Sequence, residues 1–300
     1  MGIKVAKFGG SSVADGIQLT KTKEIIREDP DRKYIVVSAP GKRFEGDSKI
    51  TDILYLCKTH IEHNLPYDQL FQVVVDRYMA VEINLGVKVD LLKYFEEIRE
   101  NLRKNPSADY IASRGEYLNA VLVAAFLEYD FVDTDKLIKF SAKGRLLAEE
   151  TNEALAAELK KHERAVLPGF YGSTPDGEIK TFSRGGSDIT GALVARAVHA
   201  DVYENWTDVS GFLMADPRIV ENPKQIRAIS YKELRELSYM GASVLHEDAI
   251  YPARMANVPI NIRNTNQPED PGTFITAEVS EDYSSEQNHI ITGIAGSRDF

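Results

Sequence analysis

Apolar runs typical of buried strands alternate with amphipathic segments typical of helices along most of the chain. Residues 34–38 form a continuous, largely β-branched run, which is typical of a parallel strand that is buried on both faces. Four helical patterns follow before strand-like runs return after residue 131. This alternation predicts an α/β fold, a doubly wound and mainly parallel sheet sandwiched between helices.

The same periodicities predict the bounds of each element. Helices are expected at residues 16–27, 51–63, 67–85, 90–104, 108–129, 187–199, 231–240 and 246–256. Strands are expected at residues 3–8, 34–38, 164–170, 179–182, 201–204, 259–262 and 273–276. The turn signal at residues 174–177 is expected to join the strands on either side of it, and Ser187 is expected to cap the helix that it begins.

Composition narrows the class of protein. The 300 residues are 43% hydrophobic, which is enough for a sizeable core, and the net charge of −10 argues against nucleic-acid and anionic-membrane partners. Cys57 is the single cysteine and lies in an apolar helical stretch, so a buried thiol is expected and an intrachain disulfide is excluded. Neither a membrane-spanning run nor a secretory signal is present, which predicts a cytoplasmic location.

Residues 7–12 place a lysine, two glycines and two serines at the end of the first predicted strand. Glycines let a phosphate approach the backbone, and free N–H groups at a helix N-terminus attract anions. Lys7 adds a full positive charge at the same place. The pattern favours an anion site, although a strand-to-helix turn with a serine cap explains the same residues.

Residues 183–188 repeat this arrangement of strand, glycines and helix start, now with Arg184, whose guanidinium suits carboxylates and phosphates. Asp188 fits this site or a helix N-terminal acid. Residues 38–41 are another polar cluster at a strand exit. Residues 113–116 place a glycine within a helical pattern, which a functional constraint or a solvated helix turn explains equally well. Two similar cationic loops together indicate an anion site at one edge of the sheet.

Taken in order, these segments resemble the aspartokinase family of the amino acid kinase superfamily. The resemblance runs from about residue 3 to about residue 264 and rests on residues 7–12, 113–116, 169–170, 183–188, 206–209, 216–218 and 240–246. It implies the amino acid kinase (carbamate kinase-like) fold and the transfer of a phosphoryl group from ATP to L-aspartate, giving ADP and 4-phospho-L-aspartate. That reaction opens the diaminopimelate route to lysine, threonine and methionine. The implied cofactors are ATP and Mg²⁺.

The chemistry suits the residues, because the nucleophile is a carboxylate that is already ionised at neutral pH and needs no general base. The resemblance assigns roles residue by residue. Catalysis would involve Lys7, Asp188 and Gly10, and L-aspartate would contact Thr51, Glu116, Arg184 and Ser187. The nucleotide would contact Lys7, Gly9, Gly10, Ser11, Ser12, Thr207, Asp208, Leu213, Asp216 and Arg218. No cluster suggests a metal site made by the protein alone.

Two positions depart from many members of the family. Leu213 stands where an aromatic residue is common near the adenine, and Ser243 stands where some members have a lysine. Two alternatives also stay open: a non-catalytic relative that senses an amino acid or a nucleotide, and a kinase for another acidic amino acid.

The resemblance also predicts the domain organisation. Residues 1–280 would form the catalytic domain, and residues 281–300 a linker and the first strand of a truncated ACT regulatory domain. Lysine or threonine would then act as an effector only in a longer, ACT-containing form. A homo-oligomer is one expected state, and small molecules are the expected partners.

Overall fold

A computed structural model describes residues 2–217, 219–239, 245, 247–279 and 292–294. Its strands are β1 (Lys4–Phe8), β2 (Arg32–Val37), β3 (Asp130–Phe131), β4 (Ala165–Pro168), β5 (Tyr171–Ser173), β6 (Ile179–Thr181), β7 (Val202–Thr207), β8 (Phe212–Leu213), β9 (Gln225–Ile226), β10 (Ala228–Ser230), β11 (Ile260–Asn264) and β12 (Thr273–Thr276). Eight of them form one sheet, in the order β10-β12-β11-β7-β1-β2-β4-β3. All neighbours in this sheet are parallel except β11 and β12.

The described α-helices pack on both faces of this sheet. They are α1 (Gly16–Glu28), α2 (Ile50–Glu62), α3 (Asp68–Leu85), α4 (Leu91–Leu102), α5 (Ala108–Leu127), α6 (Ala148–Leu159), α7 (Gly186–Ala197), α8 (Tyr231–Tyr239) and α9 (Glu247–Met255). Alternate residues of a strand pack into two separate cores, because successive side chains in a strand point to opposite faces of the sheet. Val5 and Val36 pack with α6 to α9, whereas Ala6 and Ile35 pack with α1 to α5. The predicted doubly wound, mainly parallel architecture is confirmed.

Three local predictions are wrong. The strand expected at residues 164–170 is shorter, because β4 ends at Pro168 and the backbone at Phe170 has a φ of 84°, after which β5 begins at Tyr171. The turn at residues 174–177 therefore joins β5 to β6, a separate antiparallel pair. Ser187 is not a cap, because Gly185, in the left-handed conformation with a φ of 56°, is the N-cap of α7 and no side chain caps that end.

α6 and the short strands β8, β9 and β10 were not predicted from the sequence. Their brevity explains the omission of the strands, since two or three residues carry no readable alternation. The buried thiol is confirmed, since Cys57 is fully enclosed and burial raises its pKa to about 11. Within the described ranges, no helix combines the length and the apolarity that a bilayer crossing requires.

Candidate active site

The carboxyl ends of β7, β1, β2 and β4, four adjacent parallel strands, lie along one edge of the sheet. The segment after β1 contains the first glycine loop, and the segment after β2 contains residues 38–41. The first turn of α7 packs against the end of β4 at the same edge, because a Cβ added to Gly169, just after β4, would lie 2.6 Å from Ser187 Cβ. The motifs that are scattered along the sequence therefore meet where ligands bind in open α/β sheets.

Lys7 is a buried cation at this edge. It is 6% exposed, and its Nζ lies 2.6 Å from Oδ1 of Asp188 in the first turn of α7. A Cβ added to Gly9 would lie 3.4 Å from the same Nζ, so the ammonium group borders the glycine loop. The geometry brings Lys7, Asp188 and the loop together, as the sequence predicts, and places a positive charge beside the backbone of Gly9.

The segment after the glycines differs from the prediction. Gly10–Val13 form one 3-10 turn with Gly9 at its N-cap, and α1 begins only at Gly16, where the Asp15 side chain accepts a hydrogen bond from the Gln18 N–H. The expected long-helix dipole therefore does not point at residues 9–12. Charge at this loop comes from Lys7 and from single peptide groups.

A glycine is required at position 10 because the backbone there packs closely against the backbone of residues 39–41. A Cβ at Gly10 would lie 3.0 Å from the carbonyl oxygen of Ala39, and a Cβ at Gly41 would lie 2.6 Å from the carbonyl carbon of Gly10. The Gly41 N–H also donates to the Gly10 carbonyl oxygen at 2.8 Å. The two strand exits thus pack main chain on main chain, which only glycines permit.

We therefore expect Gly41→Ala to lower the free energy of unfolding by about 1–3 kcal/mol, because the added methyl group overlaps main-chain atoms that cannot move away cheaply. Gly9→Ala is the matched control, since its nearest neighbours would lie at 3.4 Å and its φ of −70° suits alanine. Denaturant unfolding of both variants measures the difference. Equal stabilities would contradict this account of the contact.

Ser12 is held by the protein itself. Its hydroxyl lies 2.7 Å from Oγ1 of Thr265 and 3.4 Å from the carbonyl oxygen of Trp206, and both Ser12 and Thr265 are 1% exposed. The Gly9 N–H donates to the same Trp206 carbonyl at 2.9 Å. This geometry gives the Ser12 side chain a role in fixing the loop, so that a nucleotide contact of Ser12 stays a prediction for its backbone amide. Ser11 lies beside it in the 3-10 turn.

Glu116 lies on α5, which runs unbroken through Gly115. A Cβ at Gly115 would lie 2.8 Å from Ala39 Cβ, which accounts for a glycine within this helix. The solvated-turn interpretation of residues 113–116 is wrong, since all four are buried. Burial raises the pKa of Glu116 to about 8, against a hydrogen bond from the Ala39 backbone that lowers it. Its Oε2 is buried without a hydrogen-bond partner. An enclosed carboxylate with a spare acceptor suits a cationic ligand group.

The other predicted aspartate contacts lie on neighbouring segments. Ser187 is buried in the first turn of α7, and Arg184 is exposed one residue before the N-cap. The Arg184 guanidinium makes no hydrogen bond or ion pair with the part of the chain that the structure describes. Thr51, half-buried, is in the first turn of α2, next to Ile50, whose Cγ2 would lie 3.3 Å from a Cβ at Gly115. The structure thus leaves Arg184 available to an anion.

The predicted nucleotide contacts after β7 are more open. Thr207 donates to the Asp208 carboxylate at 3.1 Å, Asp208 is exposed, Leu213 is 39% exposed, and the Asp216 carbonyl accepts from the Ile219 and Val220 N–H groups. Arg218 lies outside the described residues. So does the motif at residues 240–246, which includes Ser243, with the exception of Leu245. The Trp206 ring stacks on the Phe8 ring, with their centroids 5.9 Å apart.

Three buried polar residues at this edge were not predicted from the sequence. Asn205 contacts both Lys7 and Asp188, Thr265 holds Ser12, and Arg77 donates to the carbonyl oxygens of Gly41 and Ser48. Only Asn205 carried a readable signal, as a polar residue within a buried strand run. Across the described ranges, no group of three or more His, Cys, Asp or Glu side chains is arranged to hold a metal ion.

Comparison with known proteins agrees with this geometry. Residues 2–264 match the Amino acid kinase family. Over 99% of its length the chain is 38% identical to aspartokinase 3 of Bacillus subtilis, covering 68% of that protein. The aspartate kinase structure of Clostridium acetobutylicum superposes with a TM-score of 0.89 at 51% identity, over 94% of this chain and 64% of that one.

A third similar structure is Escherichia coli aspartokinase III in complex with aspartate and ADP, with a TM-score of 0.79 at 26% identity over 93% of this chain and 65% of that one. The chain therefore spans about two thirds of the length of these relatives. The match across nearly all of this chain, together with the shared fold, shows that the chain belongs to the amino acid kinase family and, within it, to the aspartokinases.

Proposed function

We propose that this chain transfers the γ-phosphoryl group of ATP to the side-chain carboxylate of L-aspartate, giving ADP and 4-phospho-L-aspartate, at the start of the route to lysine, threonine and methionine. The observation that carries the proposal is the buried Lys7 ammonium group, held by Asp188 beside the glycine loop. The E. coli relative, solved with aspartate and ADP, supports the same pair of ligands.

The proposed mechanism is electrostatic. An aspartate carboxylate and a triphosphate repel each other, so the enzyme has to hold them together and neutralise the charge that spreads over the phosphoryl oxygens. Lys7 supplies a positive charge from a fixed position, because its ion pair with Asp188 restricts where the ammonium group can lie. The nucleophile is ionised without help, so no residue has to remove a proton.

Recognition of L-aspartate requires partners for two charged α-substituents. Glu116 offers a buried oxygen to the α-ammonium group, and ionisation of its carboxyl is what that contact requires. Arg184 can grip the α-carboxylate through two parallel N–H donors. Ser187 and Thr51, at the starts of α7 and α2, are the proposed hydroxyl contacts.

The nucleotide would lie along the loop after β1 and the segment after β7, with Leu213 beside the adenine. A Mg²⁺ ion that arrives with ATP would neutralise phosphate charge and be held mainly by phosphate oxygens and water.

A coupled assay of ADP release with L-aspartate tests the proposal, and L-glutamate in the same assay tests the alternative of another acidic amino acid. We expect turnover with aspartate. An enzyme that binds both ligands without turnover would instead support the sensing relative, and preference for glutamate would contradict the proposed substrate.

Arg184→Gln should raise the KM for aspartate about 10- to 100-fold, since a charge-assisted hydrogen bond to the α-carboxylate is lost. Arg184→Lys should recover part of this loss because it keeps the charge but not the fork. The control is Arg196→Gln on the last turn of α7, where Arg196 pairs with Glu149. Equal KM values for the Arg184 and Arg196 variants would refute the assignment.

The domain organisation is part of the proposal. Residues 1–280 would be the catalytic domain and residues 281–300 would lead into an ACT domain, with lysine or threonine as effector in a longer form. Most of residues 281–300 lie outside the described residues. Among the described residues of this segment, Thr292 donates to Glu233 of α8 at 2.6 Å, and the Ile294 N–H donates to the Met214 carbonyl at 2.7 Å. A cytoplasmic location and a homo-oligomer stay as predictions.

A further inference from the structure

Asn205 stands directly beside Lys7 in the sheet. The parallel register of β1 and β7 pairs Lys7 with Asn205, and Asn205 is 4% exposed. Its Nδ2 donates to Oδ1 of Asp188 at 2.9 Å, and its Oδ1 accepts from Lys7 Nζ at 3.4 Å. One amide therefore contacts both members of the Lys7–Asp188 ion pair, through the donor for the anion and the acceptor for the cation.

We propose that Asn205 is a positioning residue for phosphoryl transfer, because its amide fixes the Asp188 oxygen that in turn fixes the Lys7 ammonium group. This inference rests on the proposed function. Asp188 Oδ1 accepts from Lys7 at 2.6 Å and from Asn205 at 2.9 Å, so the carboxylate cannot rotate about its Cβ–Cγ bond without losing both contacts.

The geometry also accounts for an amide at this position. A carboxylate at this position would repel Asp188 and compete with it for Lys7. An apolar side chain would remove the amide donor, so that the Asp188 carboxylate would be oriented by the flexible lysine without the amide. The neighbouring acid on β7, Glu204, points to the other face, where it pairs with Arg32 at 2.7 Å. The amide thus directs the lysine without adding charge to the site.

A second residue of β7 gives a matched control. Tyr203, two positions before Asn205 and on the same face, donates its hydroxyl hydrogen to the backbone carbonyl of Asp188 at 3.0 Å. It is fully buried, as Asn205 nearly is, but it contacts the main chain of α7 and not the carboxylate. Tyr203→Phe therefore removes a buried hydrogen bond to the same residue without freeing the Asp188 side chain.

The test compares kcat and KM of the wild type, Asn205→Leu, Asn205→Asp and Tyr203→Phe, with thermal unfolding of each. Since a small misplacement of a catalytic group costs up to about 100-fold in rate, we expect both Asn205 variants to lose about 10- to 100-fold in kcat. Their KM for aspartate should stay within about twofold of the wild type, because no ground-state contact to substrate is removed. Tyr203→Phe should keep its kcat.

Asn205→Asp is nearly the same shape as the native side chain and guards against a loss that reflects misfolding of the leucine variant. Unchanged kcat in Asn205→Asp would overturn the inference. So would losses of kcat in all three variants that follow their losses of thermal stability, since that pattern marks a purely structural role. A wild type that does not turn over aspartate would overturn the proposed function first and this inference with it.

Discussion

Lys7→Met should lower kcat about 100- to 1,000-fold, because a preorganised donor to the phosphoryl oxygens is removed while the side-chain volume is kept. The ammonium group is buried beside Gly9, so solvent cannot replace its charge at low cost. Turnover is measured as ADP release at saturating aspartate and ATP. A smaller change in the KM for aspartate is expected, since Lys7 is assigned to the phosphoryl group and not to the amino acid.

The control for that substitution lies on the same strand. Lys4→Met removes a lysine that pairs with Asp29 at 2.6 Å, at the opposite end of β1 and with both side chains partly exposed. Such exposed pairs are worth little to stability. We expect kcat of Lys4→Met to equal that of the wild type. If Lys7→Met and Lys4→Met have the same kcat, the role assigned to Lys7 is lost.

Glu116→Gln should raise the KM for aspartate about 10- to 100-fold, because the charged partner of the α-ammonium group is replaced by a neutral amide.

Ionisation of Glu116 also links aspartate binding to pH. Burial raises its pKa to about 8, so below that pH the unliganded carboxyl carries a proton that must leave when an ammonium group binds. Calorimetry in buffers of different ionisation enthalpy should detect this proton release in the wild type and not in Glu116→Gln.

The same pKa predicts how stability depends on pH. The folded-state pKa of Glu116 lies above its ordinary value of 4.5, so its contribution to stability is fully present below about pH 4.5 and is lost as the pH rises through about 8. Glu116→Gln should therefore gain stability relative to the unliganded wild type as the pH rises from about 4.5 to about 8, the window between the ordinary and the folded-state pKa of the carboxyl. Denaturant unfolding at several pH values measures this difference.

Glu82→Gln is the control, since Glu82 is also buried but accepts a hydrogen bond from the Val89 N–H at 2.8 Å. Its variant should leave the KM for aspartate unchanged. A stability difference between Glu116→Gln and the wild type that does not vary with pH would contradict the raised pKa, and an unchanged KM would remove Glu116 from the substrate site.

Much of the fold could be predicted because its information is local. The β-branched run at β2 and the breaks between helices are visible in single windows of sequence, and the helices at α1 and α5 begin at the expected residues. The meeting of loops at one sheet edge follows from parallel strands, since their carboxyl ends share an edge. That rule indicated a shared edge for residues 7–12 and 183–188, whereas the joint role of Lys7 and Asp188 came from the family resemblance.

The remaining features depend on contacts between residues far apart in the chain. Ser12 and Thr265 are 253 positions apart, and Lys7 and Asn205 are 198 apart, so no window contains both partners. The 3-10 turn at Gly10–Val13 and the left-handed cap at Gly185 are set by main-chain packing, which residue types indicate poorly. The sequence therefore indicates candidates such as Lys7 and Asp188, whereas the contacts of Asn205 and Thr265 are visible only in the structure.

The enclosed thiol of Cys57 makes the chain convenient for spectroscopy. Maleimide and disulfide reagents react with exposed thiolates, and this sulfur is neither exposed nor readily ionised. A cysteine introduced at a solvent-facing position would accept a fluorophore or spin label with almost no background. Because Cys57 lies midway along α2, which begins beside Thr51, slow labelling of the native sulfur would in turn report how often that helix detaches from the core.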